Sequence, residues 1–261
     1  MWTLIIDGAG AGASNMSIDA ALLEQVEAAP EPRTIVRFYG WQTPTISLGR
    51  NQKIDRALDT GYCRDNGIDI VHRPTGGRAV LHDDELTYAV ISSDSNVFGD
   101  TIYGNYKRVS EALCLGYNRL GVPAVLAPDT RKVADLSAEA QARQGAASSR
   151  EAQARQGAAS NDDMDLPCFL STSRYELMVS GRKIVGSAQR RVRRSFLQHG
   201  SMPITCDRDA LARATRMADT ASLETEMAGV AEFLPERPTL EQLRGAFIQA
   251  FQDYFSIEFM L

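Results

Sequence analysis

An α+β fold is what this chain of 261 residues predicts, on three observations. Short segments of alternating apolar and polar residues, cut by glycine and proline turns, recur from the N-terminus to residue 203. Two of them flank Ser180 and Gly181, a two-residue hairpin signal that makes its neighbours antiparallel. Helical periodicity marks separate stretches at 15–27, at 103–120 and beyond 207.

In chain order, residues 1–7 read as a strand. Residues 15–27 read as an amphipathic helix with Met16, Ile18, Ala21, Leu22 and Val26 on its apolar side. Strands at 34–39 and 45–48 are separated by a turn over 40–44, and another strand runs to Ser92 behind the turn at Gly76 and Gly77. The helix at 103–120 carries Tyr106, Val109, Leu113, Tyr117 and Leu120 as a core stripe and stops at Gly121. Strands at 174–179 and 182–190 form the hairpin, and 196–203 is a further short strand. Two or three helices close the chain after Asp207.

Residues 129–165 differ in kind. The segment 137–148 recurs almost unchanged as 149–160, with no large apolar residue in either copy. Such a sequence cannot hold a core, and two copies are too few for a solenoid, so an exposed insertion is expected. The organisation expected is therefore a domain over 1–206 interrupted by that insertion, with a helical segment, 207–261, packed on the same domain.

The chain is 44% hydrophobic with a net charge of −5, enough for a full core and unfavourable for nucleic acid as the main partner. No apolar run approaches a membrane span, and no basic region precedes an apolar stretch near residue 1, so neither a membrane location nor a signal peptide is expected. Cys63, Cys114, Cys168 and Cys206 are widely spaced with no C-x-x-C pair, which indicates no zinc or redox motif and suits a reducing cytoplasm. Between residues 182 and 194 six basic and no acidic residues occur, a local positive patch fit either to attract acidic partners or to keep a strand edge soluble. The segment from 207 onward has ten acidic and five basic residues and is no attractor of acidic partners.

Chemistry-bearing residues gather in two segments. Gly76 and Gly77 let the backbone bring N–H groups close to a ligand, and Arg73 and Arg78 frame them with positive charge; a tight turn with solvated arginines fits the same residues. All three histidines, His72, His82 and His199, lie at this turn or in the second segment, 168–199, with Cys168 and Lys183. A cysteine and a lysine on neighbouring strands can make an acyl-transfer pair. A free thiol with pKa about 8.5 is about 3% thiolate at pH 7, and an ammonium that lowers it to about 6.5 raises that fraction to about three quarters. Taken singly, Cys168 also reads as a small buried residue and Lys183 as a surface charge.

The order of these motifs resembles the lipoate-protein ligase and octanoyltransferase family over about residues 1–205. Arg37 to Trp41 with Ile46 to Gly49 comes first, then Arg73 to Asp83, then Cys168 with Phe169, then Gly181 to Gln189 and Leu197 to Gly200. The resemblance implies a mixed α/β catalytic domain like that of biotin protein ligases, with mixed and antiparallel sheets flanked by helices enclosing an acyl chain. It implies Cys168 as acyl-accepting nucleophile and Lys183 as the group that activates it. Arg73, Thr75, Gly76, Gly77, Arg78 and His82 would form one wall of the acyl pocket and Gly186, Ser187 and Ala188 the other. His199 would lie nearby, where a structural role fits equally. Two chemistries compete within the family. Ligases use ATP and Mg²⁺ and typically show a third glycine where this chain has Arg78. Octanoyltransferases take octanoate from acyl carrier protein through a cysteine in a Cys-Phe pair, with no cofactor and no metal. The second fits better. The implied partners are octanoyl-acyl carrier protein and lipoyl-domain proteins such as glycine cleavage H protein or 2-oxoacid dehydrogenase E2. Departures are Pro167 before the cysteine and Ala20 where the first helix often carries an acid. A non-catalytic module that binds acyl groups or carrier protein is the reading from another class.

Overall fold

The computed structural model describes residues 1–127, 175–217 and 220–260. The insertion at 129–165 with its repeats, and Cys168, lie outside the described residues. The fold is α+β, as expected, with mixed sheets. Its largest sheet has five strands in the order β1 (Trp2–Gly10), β2 (Thr34–Trp41), β6 (Glu85–Ser92), β11 (Ser195–Pro203) and β10 (Gly186–Val192). β1 runs parallel to β2, and the remaining pairs are antiparallel. A three-stranded sheet places β3 (Thr45–Leu48) between β4 (Asp69–His72), parallel, and β5 (Val80–His82), antiparallel. A second three-stranded sheet is antiparallel, β7 (Val125–Leu126), β8 (Leu177–Val179) and β9 (Arg182–Lys183).

The hairpin forms at Ser180 and Gly181, both with positive φ (49° and 81°), the two left-handed residues that a turn matching the strand twist requires. The strand expected to follow it over 182–190 is instead divided. After Lys183 the buried pair Ile184 and Val185 carries the chain out of the small sheet, and β10 then joins the five-stranded one. The expected short strand at 196–203 is nine residues long, buried throughout, and sits inside the large sheet between β6 and β10. Its alternation of large and small residues hides this, because both of its faces are covered.

One face of the large sheet holds the main core. The helices α5 (Ile102–Arg119) and α8 (Leu240–Phe255) contribute to that core, and Phe247 and Phe251 of α8 pack with Phe38, Tyr88 and Tyr117. Gly116 is needed at the helix crossing: a Cβ there would lie 2.3 Å from the Phe247 ring. Thr101 caps α5 by accepting from the Gly104 N–H, and Thr239 with Gln242 forms a capping box on α8. Beyond α8 the chain returns to the sheet edge, where Met260 exchanges backbone hydrogen bonds with Trp2 and Leu4. The other face is covered by α1 (Gly12–Ala28). Its buried side is Met16, Asp19, Leu23 and Val26 with Asn15, and Ile18, expected on the apolar stripe, is 39% exposed. Among the described residues no helix is long and apolar enough to cross a membrane.

The six basic residues between 182 and 194 do not form one patch. Arg182 pairs with Glu232 at 2.6 Å, Lys183 is buried against Glu176, and Arg194 donates to backbone carbonyls at the end of α1. The split has a plain cause: the chain changes sheets between Lys183 and Arg190.

Candidate active site

A narrow cleft lies between the five-stranded sheet and the β3–β5 sheet. Ser47, Arg73, Val80 and His82 line one wall, and Gly186, Ser187, Ala188, His199, Gly200 and Ser201 the other, with Met16 and Tyr39 completing it. Six of the residues singled out in the sequence thus meet in one place: Arg73, His82, Gly186, Ser187, Ala188 and His199. The register explains the second wall, since Gly186, Ser187 and Ala188 pair with Ser201, Gly200 and His199. Gly200 must be small, because a Cβ there would meet the Gly186 carbonyl at 2.7 Å and the Tyr88 ring at 2.8 Å. Its absence lets Tyr88 reach across β11 to Ser187, hydroxyl to hydroxyl at 2.7 Å.

The glycine turn is built against the end of β3. Gly49 accommodates it, since a Cβ on Gly49 would collide with the Gly77 carbonyl oxygen at 2.0 Å, and Gly77 itself has φ of 95°. Arg73 does not stand free as a charge framing the turn. Its Nε and Nη2 donate to the Gly76 carbonyl, Nη2 also to the Arg78 carbonyl at 2.7 Å, and Nη1 to the Ser47 carbonyl at 2.8 Å. It clamps the turn while lining the cleft. Arg78 supplies a carbonyl to that clamp, and its side chain is not part of the cleft lining. His72 bonds the Gln52 carbonyl at 3.0 Å, away from the lining.

Each cleft histidine is held by a buried carboxylate that the sequence did not reveal. His199 Nδ1 lies 2.7 Å from Asp19 Oδ2, and its Nε2 lies 2.8 Å from the Thr75 hydroxyl. Asp19 also receives Arg37 Nη1 at 2.7 Å and the Tyr39 hydroxyl at 2.9 Å. Burial holds the His199 pKa below the ordinary value, against the pull of Asp19 and with help from Arg73 and His82, so the ring is neutral at pH 7. With Asp19 accepting, the ring proton is assigned to Nδ1, and Nε2 accepts from Thr75. His82 Nε2 lies 2.7 Å from the Ser47 hydroxyl and its Nδ1 2.9 Å from Glu85 Oε1, with the Trp41 ring stacked on the imidazole at 4.1 Å. Glu85 also accepts from Ser201 and Thr87. Burial alone would raise the Glu85 pKa, but His82 and these hydroxyl donors outweigh it and hold it below the usual value.

Asp19 did carry a sequence signal. It falls on the buried side of α1 between Met16 and Leu23, at the three- and four-residue spacing where an apolar residue belongs. The acid missing at Ala20 is therefore present one position earlier and aimed at the site.

Lys183 is buried and outside the cleft lining. Its Nζ lies 2.6 Å from Glu176 Oε1, just before β8, and two residues, Ile184 and Val185, separate it from Gly186 in the cleft wall. Of the described cysteines, burial pushes the thiols of Cys63 and Cys114 up and that of Cys206 to about 12, so none is a thiolate at neutral pH. Among the described residues no group of three or more His, Cys, Asp or Glu side chains is arranged to hold a metal ion.

The Lipoyl protein ligase A/B catalytic domain family matches residues 11–252. Octanoyltransferase LipM of Carboxydothermus hydrogenoformans is 33% identical over 99% of this chain and 88% of its own length. LipM of Exiguobacterium sp. is 35% identical over 99% and 88%, and that of Bacillus subtilis 32% over 98% and 87%. In fold the chain resembles a lipoate-protein ligase A solved with ATP, with a TM-score of 0.70 and 24% identity, covering 99% of this chain and 87% of that one. A bi-partite lipoate protein ligase from Thermoplasma acidophilum has a TM-score of 0.71 at 20% identity, covering 99% and 85%.

Proposed function

This chain belongs to the lipoyl protein ligase A/B catalytic domain family, and on that premise we propose that it is an octanoyltransferase of lipoate biosynthesis, an acyltransferase that delivers octanoate to a lysine of a lipoyl-domain protein. The observation that carries this reading is a likeness to octanoyltransferases that runs nearly the full length of both chains. The donor is octanoyl-acyl carrier protein, and the acceptor is a lipoyl-domain protein such as glycine cleavage H protein or a 2-oxoacid dehydrogenase E2. The cleft takes the acyl chain, with Met16, Val80, Ala188 and the glycines of β10 and β11 as its apolar and small lining.

Cys168 is the nucleophile in this proposal. Its thiolate attacks the donor carbonyl, the carrier thiolate leaves, and the Lys183 ammonium gives it a proton. The now neutral Lys183 accepts a proton from the incoming amine as it attacks the acyl-cysteine. An amide forms, Cys168 departs as thiolate, and the ammonium is restored. The Glu176 carboxylate, 2.6 Å from Nζ, keeps Lys183 in place through both steps. Thioester exchange conserves the donor's energy, so the reaction proposed needs neither ATP nor metal.

Intact-mass measurement after mixing with octanoyl-acyl carrier protein, without ATP, should show one octanoyl group on the wild type. Cys168→Ala should lose both that mass shift and the modified lipoyl domain. Lys183→Ala should slow acylation and transfer by orders of magnitude while Cys168 remains alkylatable at high pH. If Cys168→Ala modifies a lipoyl domain when given lipoate and ATP, the chain is an ATP-dependent lipoate ligase. If it binds carrier protein unchanged and the wild type transfers nothing, it is a binding module.

A further inference from the structure

The cleft has its two walls on different sheets, so its width depends on what joins them. On its own sheet the glycine turn is well attached: Arg50 N–H donates to the Thr75 carbonyl at 2.9 Å, and Arg73 bonds Ser47 as well as the turn's own carbonyls. Towards the five-stranded sheet the turn offers the buried Thr75 hydroxyl to His199 at 2.8 Å and the Pro74 carbonyl to Arg190 at 3.4 Å. The first of these continues inward. His199 stands in the middle of a central strand, and behind it Asp19 of α1 is fixed by Arg37 and Tyr39 of β2.

We infer that Asp19, acting through His199 on Thr75, is a positioning relay that holds the glycine turn against the five-stranded sheet and so sets the width of the acyl cleft. This rests on the octanoyltransferase reading for the identity of the ligand, though not for the relay itself.

The directions of the hydrogen bonds are mutually consistent. Asp19 can only accept, and Arg37, Tyr39 and His199 all donate to it; a neutral His199 then has one lone pair left, at Nε2, and Thr75 fills it with its hydroxyl proton. Arg37 and Asp19 both have 0% exposed side chains. A buried pair of that kind adds little stability over apolar packing; what it supplies is a charge fixed in position and direction. The charged and titratable groups facing His199 are Asp19 from α1, Arg37 and Tyr39 from β2, Arg73 from the turn and His82 from β5. Protonating His199 makes Nε2 a donor, which the Thr75 hydroxyl can meet only by reversing, beside the Arg73 charge. The relay therefore engages with the neutral ring and releases on acidification.

Thr75→Val keeps the shape and removes the hydroxyl, and Thr75→Ser restores it. Amide hydrogen exchange over residues 73–78 needs no substrate, and Thr75→Val should speed it about tenfold, the effect of losing one buried hydrogen bond. With octanoyl-acyl carrier protein, Thr75→Val should raise KM about tenfold and keep kcat within about twofold, while Thr75→Ser stays near wild type. The wild-type KM should climb on acidification as His199 takes up a proton, and Thr75→Val should lack that climb. Wild-type exchange and KM in Thr75→Val would overturn the relay, as would a fall in kcat at constant KM, which would put Thr75 in the chemistry. If the wild type takes no octanoyl group at all, the octanoyltransferase reading fails and the exchange measurement alone decides the relay.

Discussion

The same strands present two different chemistries on their two faces. On β1, β2, β6 and β11 the even-numbered residues, among them Trp2, Val36, Phe38, Tyr88, Val90, Phe196 and Met202, enter the core to which α5 and α8 contribute. The odd-numbered residues turn to α1 and the cleft, and there Arg37, Glu85, Thr87, His199 and Ser201 are buried beside Tyr39, Ala89 and Leu197. The even face gains stability in proportion to apolar area. The odd face places ions and hydroxyls out of water, where each is tolerable only with a partner, and so gains fixed directions instead.

That contrast is broken most severely by one substitution on each face. Phe247→Ala, which empties the space between Phe38 and Tyr117, should cost about 3–5 kcal/mol in urea denaturation and leave KM and kcat of the folded fraction unchanged. Arg37→Met should cost a similar amount, about 3–5 kcal/mol, because it leaves Asp19 buried and unpaired. Unlike the first it should also raise KM for the octanoyl donor. Equal kinetic effects would mean that the two faces do not divide stability from geometry.

Acid sharpens the contrast, because two buried titrating groups, His199 and Glu85, sit on the odd face. His199 and Glu85 both have folded pKa values below their ordinary ones, 6.5 and 4.5. In that case the unfolded chain takes up the proton first, so the stability each contributes is full above its ordinary pKa and is lost as pH falls through the folded value. Unfolding free energy should therefore decline in two stages, below about 6.5 from His199 and below about 4.5 from Glu85. His199→Gln should remove the upper stage and Glu85→Gln the lower, each with a loss at neutral pH of about 1–3 kcal/mol. A single stage unaffected by either would assign the acid sensitivity elsewhere. The smallest effect is expected outside the described residues: deleting residues 149–160, the second repeat copy, should shift the melting temperature and transfer rate by little, and loss of folding would show that the copy packs on the domain.

The sequence made the fold legible where one rule acted alone. The hairpin at Ser180 and Gly181, the stop at Gly121 and β3 all follow from turn chemistry or period. The glycine turn and the strand after Lys183 were expected as opposite walls from the resemblance to the family; their glycines alone imply only close backbone approach. What escaped were Asp19, Glu85 and the buried pairing of Arg37. Alternation in a strand predicts one dry face and one wet face, and the sequence does not say when a helix will cover the second one. The alternation therefore carries no signal of their burial, and Arg37 is among the most deeply buried side chains described. The six basic residues misled for the opposite reason, since proximity in sequence is not proximity in space across a change of sheet.

The pairing of β7 with β8 has a consequence for how this gene can vary. Val125 and Leu126 are hydrogen-bonded partners of Met178 and Leu177, so the described chain before and after the repeats is joined at a single point. The two twelve-residue units of the repeat both fall between these paired strands in the sequence, so a change in copy number adds or removes residues between them and not within them. Both units also precede Cys168, so the nine-residue count from that cysteine to Leu177 is the same whatever the copy number. Replication slippage at this locus would change chain length and leave the spacing between the proposed nucleophile and Lys183 untouched.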